Sequence, residues 1–275
     1  MITYLFEEFK QSKAIKVLFL LFIGLTIWWI TIYLRGLESG SENNAFTLIY
    51  PIFSLLGGVA GFSFAMRWGG FKSVLGKSIM MFTLGILAQF VGQVLYAYYI
   101  YVLGIEVPYP SIGDIAYFSS ILFYIYGVIL LSKVSGLKLS LATTQGKIKT
   151  VLIPIAIFVG MYIVLLYGYE PDWTNKITVF LDFAYPIGQA IYLSFATLAF
   201  LVSKHILGGI MRSPILLLIL ALIVQYASDL IFSLQVNAET WYIAGTSDYL
   251  FCLAYFLMAL AIFSIGNMFY KVQES

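Results

Sequence analysis

Asp229 stands in the run IVQYASDLIF (223–232), with Gln225 one helical turn before it and Leu, Ile and Ala on both sides. A carboxylate in hydrocarbon is costly, so it needs a partner or a use. Other polar residues keep the same spacing. Gln89 and Gln93 are four apart, and Asp182, Tyr185 and Gln189 are three and four apart, so each set lies on one face of a helix. At about 1.5 Å per residue, Gln89, Gln189 and Gln225 fall near the middle of their apolar runs, with Asp182 and Asp229 nearer one end. Tyr96, Tyr117, Tyr185 and Tyr226 accompany them. Carboxylates, amides and phenols on shared faces predict a polar, ligand-binding track made of Gln89, Gln93, Tyr96, Tyr117, Asp182, Tyr185, Gln189, Gln225, Tyr226 and Asp229. Asp114 and Asp248 begin two other helices, where a carboxylate caps free N–H groups and meets the positive end of the dipole.

The chain that positions these residues has 275 of them, 61% hydrophobic and only 10% charged. Its mean hydropathy is +0.95. A soluble domain of this length carries far more polar surface, so the composition predicts an all-α polytopic membrane protein. One histidine, His205, and one cysteine, Cys252, are too few for the usual metal constellations, and no metal or cofactor is expected. A lone cysteine also excludes an internal disulfide. Nothing in the charge pattern points to nucleic acid; membrane lipids are the expected surroundings.

Eight stretches reach the roughly 20 apolar residues that a spanning helix needs. They run over 15–34, 45–66, 78–103, 112–132, 150–168, 177–202, 214–236 and 247–269. With the N-terminus and the even-numbered loops on the cytoplasmic side, that side holds thirteen of the 15 Lys and Arg; only Arg35 and Lys176 lie opposite. The positive-inside bias therefore places both termini in the cytoplasm of a multi-pass cell-membrane protein. Ahead of the first span, Ile2, Leu5, Phe6 and Phe9 recur at helical spacing and predict a short helix along the inner membrane surface. Five tryptophans, Trp28, Trp29, Trp68, Trp173 and Trp241, mostly fall near span ends, as interfacial anchors do.

The chain also aligns with itself. LAQFVGQVLY (87–96) matches IVQYASDLIF, pairing Gln89 with Gln225 and Gln93 with Asp229. SIGDIAYF (111–118) matches GTSDYLFC (245–252), pairing Asp114 with Asp248. TLIYPI (47–52) matches DFAYPI (182–187), pairing Tyr50-Pro51 with Tyr185-Pro186. The offsets, 134 to 136, agree and keep chain order. They predict two tandem four-helix repeats, 15–133 and 150–270, of parallel orientation and related by an axis along the membrane normal. The remaining segments are an interfacial 1–14, a cytoplasmic linker 134–149 and a cytoplasmic tail 271–275. Pro51 and Pro186 should kink the second and sixth helices at matched depths, and Gly57, Gly58 and Gly61 should let helices approach closely.

PSIGDIAYFSSILFYIYGVILL (110–131) resembles part of a poorly characterised multi-helix membrane domain found ahead of some diguanylate cyclases and histidine kinases. Pro110, Ser111, Asp114, Tyr117 and Gly127 carry the likeness, and DFAYPIGQAIYL and GTSDYLFCLAYFLMALA are similar to that domain's later helices. The resemblance implies a sensory role, with a separate signalling protein as partner because no output domain is present in this chain. A fainter likeness to the lysoplasmalogenase family rests on Ser228-Asp229, but Gly92-Gln93 has an amide where that family has an acid, which disfavours hydrolysis. The expected function is therefore a receptor or sensor that binds a small ligand or lipid in an outward-opening polar cavity between the repeats. Two alternatives remain: an intramembrane hydrolase of a lipid-like substrate, and a secondary transporter.

Overall fold

The computed structural model describes residues 2–105, 107–135, 144–202 and 211–274. Glu106, Lys138, Lys204 and His205 lie outside them. The described residues are helical throughout, without strands. The helices are α1 (Ile2–Gln11), α2 (Lys13–Leu34), α3 (Ser41–Ile49), α4 (Ile52–Arg67), α5 (Val74–Ala97), α6 (Ile112–Val134), α7 (Thr144–Met161), α8 (Lys176–Val202), α9 (Arg212–Asn237) and α10 (Thr246–Glu274). Single π-helical turns, Tyr98–Leu103 and Tyr162–Leu166, prolong α5 and α7. Eight segments of the described chain are long and apolar enough to cross a membrane: one built from α3 and α4 together, and seven from α2 and α5 to α10. They agree with the expected spans to within a few residues at most ends. α7 is an exception, since Thr144–Lys149 of the expected linker already belongs to it.

Short polar residues start the helices where the sequence supplies them. The hydroxyl of Ser12 accepts from the Ile15 N–H at 3.4 Å, and that of Ser73 from the Gly76 N–H at 2.8 Å. The Asn175 side chain accepts from the Thr178 N–H at 3.2 Å. Each satisfies one of the donors that a helix start leaves open. α1 forms as expected. Its Glu8 is buried and accepts from the Asn267 amide of α10 at 2.8 Å.

The helices pack into two compact units, one of residues 1–64 and 213–275 and the other of residues 65–212. The first therefore holds spans one, two, seven and eight, and the second holds spans three to six. In the first, α10 is the central helix, two-thirds of it buried. Phe22 of α2 stacks on Phe256 at 4.1 Å, and Trp29 stacks on Tyr249 at 4.2 Å while donating to the Ala244 carbonyl. Tyr50 meets Tyr255, Phe53 meets Phe256 and Phe64 meets Phe263, so the second span runs parallel to α10. Gly57, Gly58 and Gly61 are buried. Pro51 interrupts the second span between α3 and α4, whereas Pro186 sits inside an unbroken α8. The two prolines are equivalent in sequence but not in their effect on the helix.

In the second unit, α5 and α6 run antiparallel in a register written by glycine. A Cβ at Gly85 would fall inside the Tyr124 ring, one at Gly92 would lie 2.5 Å from Tyr117, and one at Gly127 would press on Phe82 and Met81. Gln89 meets Ser120 between these contacts. Positions 82, 85, 89 and 92 thus face 127, 124, 120 and 117 in turn, a ring resting in the gap each glycine leaves. α8 packs parallel to α6, with Phe118 against Tyr185, Gly188 under Ile121 and Tyr124 against Tyr192.

Gly85→Val must push α5 and α6 apart, because the ring it meets is fully buried. A cost of about 1–3 kcal/mol is expected for such overpacking. Thermal unfolding of the solubilised protein should show it as a lowered midpoint, while Gly24→Ala, in open space, should leave the midpoint unchanged.

Candidate functional site

The polar residues singled out by spacing fall into separate groups. In the second unit, Asp182 lies in the second turn of α8, half-buried. Its Oδ1 accepts from the Tyr109 hydroxyl at 2.8 Å, and its Oδ2 accepts from the Tyr169 hydroxyl. Both tyrosines come from connections rather than spans, Tyr109 from the segment before α6 and Tyr169 from the segment after α7. Both phenols are held in their protonated, donating form. For Tyr109, burial comes first, then the hydrogen bond to Asp182 and the charges of Asp182 and Asp114, and together they push its pKa well above the ordinary value. Burial and Asp182 push that of Tyr169 up to about 12. Among the described residues, no Lys or Arg pairs with Asp182.

Asp114 does what its position predicts. It caps α6, its Oδ2 accepting from the Ser111 N–H at 2.7 Å and the Ser111 hydroxyl at 3.0 Å. Its Oδ1 takes a further bond from Tyr185 of α8 at 3.1 Å, so the cap is also a clamp between helices. Tyr185 follows Asp182 by one turn. Asp182, Tyr185 and Asp114 are therefore joined at one end of this unit, with Phe118 edge-on to Tyr185 and Phe180, and Phe183 edge-on to Tyr169. Pro186 adds to this. Its ring nitrogen has no hydrogen to give, so the Asp182 carbonyl loses the helical bond it would otherwise accept. The end of α8 is rich in acceptors and in aromatic surface.

The amides sit deeper. Gln89 is 5% exposed and donates to Ser120 Oγ at 2.7 Å, which passes a bond to the Tyr117 carbonyl. That is a clamp between α5 and α6, of the kind worth about 0.6 kcal/mol in a membrane. Gln189 is buried in α8; Gln93 and Tyr96 are half-buried on α5, and Tyr117 covers Gly92.

The remaining residues belong to the first unit. Gln225, 4% exposed on α9, donates to Asp229 Oδ2 at 3.2 Å, so the residue one turn before this carboxylate is one of its partners. Tyr226 is half-buried beside them. Asp248 caps α10 by accepting from the Ala244 N–H at 2.7 Å. The Thr47 hydroxyl of the second span donates to the Asn43 carbonyl at 3.1 Å.

Sequence reasoning missed Tyr109 and Tyr169. Both sit in short connections rich in Pro and Gly, VPYPS and YGYEPD, where helical spacing says nothing about which face a side chain takes. The available signal was their composition, an aromatic hydroxyl held in each of two loops at the same end of spans three to six. Among the described residues no group of His, Cys, Asp or Glu is placed to hold a metal ion.

No family model, no curated protein and no solved structure matches the chain.

Removing the Asp182 charge should free the phenol it opposes. Ultraviolet difference titration of the protein against Tyr169→Phe is expected to show Tyr169 ionising near pH 12. In the Asp182→Asn background the same titration should fall below that value, with burial still holding it above the ordinary one. An unmoved titration would mean that the bond is not made in solution.

Proposed function

We propose that the protein is a multi-pass cell-membrane receptor whose ligand bears a cationic, hydrogen-bond-donating group, bound at Asp182 on the extracytoplasmic side. One observation carries the reading. Asp182 is a half-buried carboxylate held in place by two loop phenols and left without a cationic side chain among the described residues. Neutral donors orient a carboxylate without cancelling its charge. Aromatic rings beside a free negative charge form the environment that attracts an ammonium group. The bias of Lys and Arg puts this end of the chain outside. The resemblance of 110–131 to a membrane sensory domain supports a receptor, which would pass its signal to a separate protein.

The internal comparison favours the same site. We read the chain as two copies of a four-span unit, and two facts support it: the helix begun by Asp114 meets the sixth span through Tyr185, while the helix begun by its counterpart Asp248 meets the second through Tyr50, the counterpart of Tyr185. On this reading each compact unit combines the first two spans of one copy with the last two of the other. The positions of Asp182, Tyr109 and Tyr169 are then held in the other copy by Thr47, Ile243 and Leu34. The capping acids are present twice, as structure requires. The Asp182 triad is present once, which fits a role in binding rather than in folding.

Choline and ethanolamine, tested against glycerol, should raise the thermal unfolding midpoint of the solubilised wild-type protein. Asp182→Asn should weaken that binding by about tenfold or more, a loss of about 1.4 kcal/mol. Equal responses of wild type and Asp182→Asn to the amines would overturn the proposal.

A further inference from the structure

We propose that the ligand is a lipid: an ammonium headgroup at Asp182 with one acyl chain lying in an apolar groove of the same unit. This rests on the reading of Asp182 as a cation site. The groove holds about 390 Å³ and is lined by Phe158, Val159, Met161, Tyr162, Leu166 and Ile187. Its exposed wall is apolar throughout. At ~30 Å³ for a water-sized group, it has room for about a dozen methylene-sized pieces.

Three features select a lipid over other occupants. First, the groove lies on hydrocarbon-facing helix surface. α7 and its π turn supply five of the six residues, and only 6% of that span is buried in the protein. Second, groove and charge lie at neighbouring heights on the same two stretches of chain. Leu166 ends the groove three residues before Tyr169, whose hydroxyl bonds Asp182. Ile187 lies five residues after Asp182 on α8, a rise of about 7.5 Å. Measured along the α8 axis, the polar anchor and the apolar bed are about one and a half turns apart, within the reach of one amphiphile. Third, the charge is complementary to one class of headgroup. The Asp182 and Asp114 carboxylates, and the Asp182 carbonyl released by Pro186, are all acceptors, and they call for a head that donates and is positive.

Native mass spectrometry of the delipidated full-length protein tests this, with phosphatidylethanolamine, phosphatidylglycerol of identical chains, and glycerophosphoethanolamine as probes. Phosphatidylethanolamine is expected to bind about tenfold tighter than either of the others. Ile187→Trp fills the groove and should cost phosphatidylethanolamine about tenfold while leaving glycerophosphoethanolamine unchanged. Ile163→Trp, on the exposed surface outside the groove, should change neither. Asp182→Asn should abolish the preference for ethanolamine over glycerol. If the chainless head binds as tightly as the lipid and Ile187→Trp has no effect, the acyl site is wrong and the Asp182 reading survives. If both lipids bind equally, with or without Asp182, and only Ile187→Trp matters, the cation site itself is wrong and the lipid class falls with it.

Discussion

A carboxylate among apolar side chains has to collect hydrogen-bond donors from whatever lies within reach, and much of this chain's polar arrangement follows from that need. Hydrocarbon supplies none, and water reaches only the helix ends. The chain answers in several ways. Asp114 and Asp248 draw on backbone N–H groups at helix starts, and Asp114 then recruits Tyr185 from a neighbouring span. Asp229 draws on Gln225 of its own helix. Asp182 draws on two phenols from outside the spans. The first solutions use donors built into the helices, so they cost little and serve the fold. The last gathers two loops around one charge, and that difference is what the proposed binding site rests on.

The register of α5 and α6 sets the frame around it. Rings at Tyr117 and Tyr124 rest where Gly92 and Gly85 leave space, seven residues apart on each helix. This spacing fixes how far α6 can slide, and with it the height at which Ser111 and Asp114 begin the helix. α8 is then located by Gly188 beneath Ile121 and by Tyr185 on Asp114. A shift of one turn along α5 would separate these partners. Glycine, by removing bulk, does as much to position the polar end as the polar groups do.

Much of the architecture was legible in the residues. Long apolar runs separated by short polar loops give the eight spans, and Asp at a helix start gives both caps. The units were not legible, because chain order suggests halves of consecutive helices, whereas packing joins spans one, two, seven and eight. No local pattern encodes which distant helix a face will meet. The same reason hid Tyr109 and Tyr169. Spacing puts Gln89 in the ligand-binding track, yet an amide on a shared face suits a clamp equally, and its bond to Ser120 is set by a residue 31 positions away. Pro51 and Pro186 were expected to act alike, yet only Pro51 ends a helix.

The exposure of α7 has a consequence for how this sequence can change. With 6% of its span buried inside the protein, most of the helix answers to the solvent it is dissolved in. Away from the buried Gly146 and Met161 and from the side chains that line the groove, nearly any oily residue serves the bilayer equally well. α8, more than half covered, answers to its neighbours' shapes. Two adjacent helices of similar composition are thus under different rules: one is free to drift in spelling so long as it stays greasy, and the other is held letter by letter.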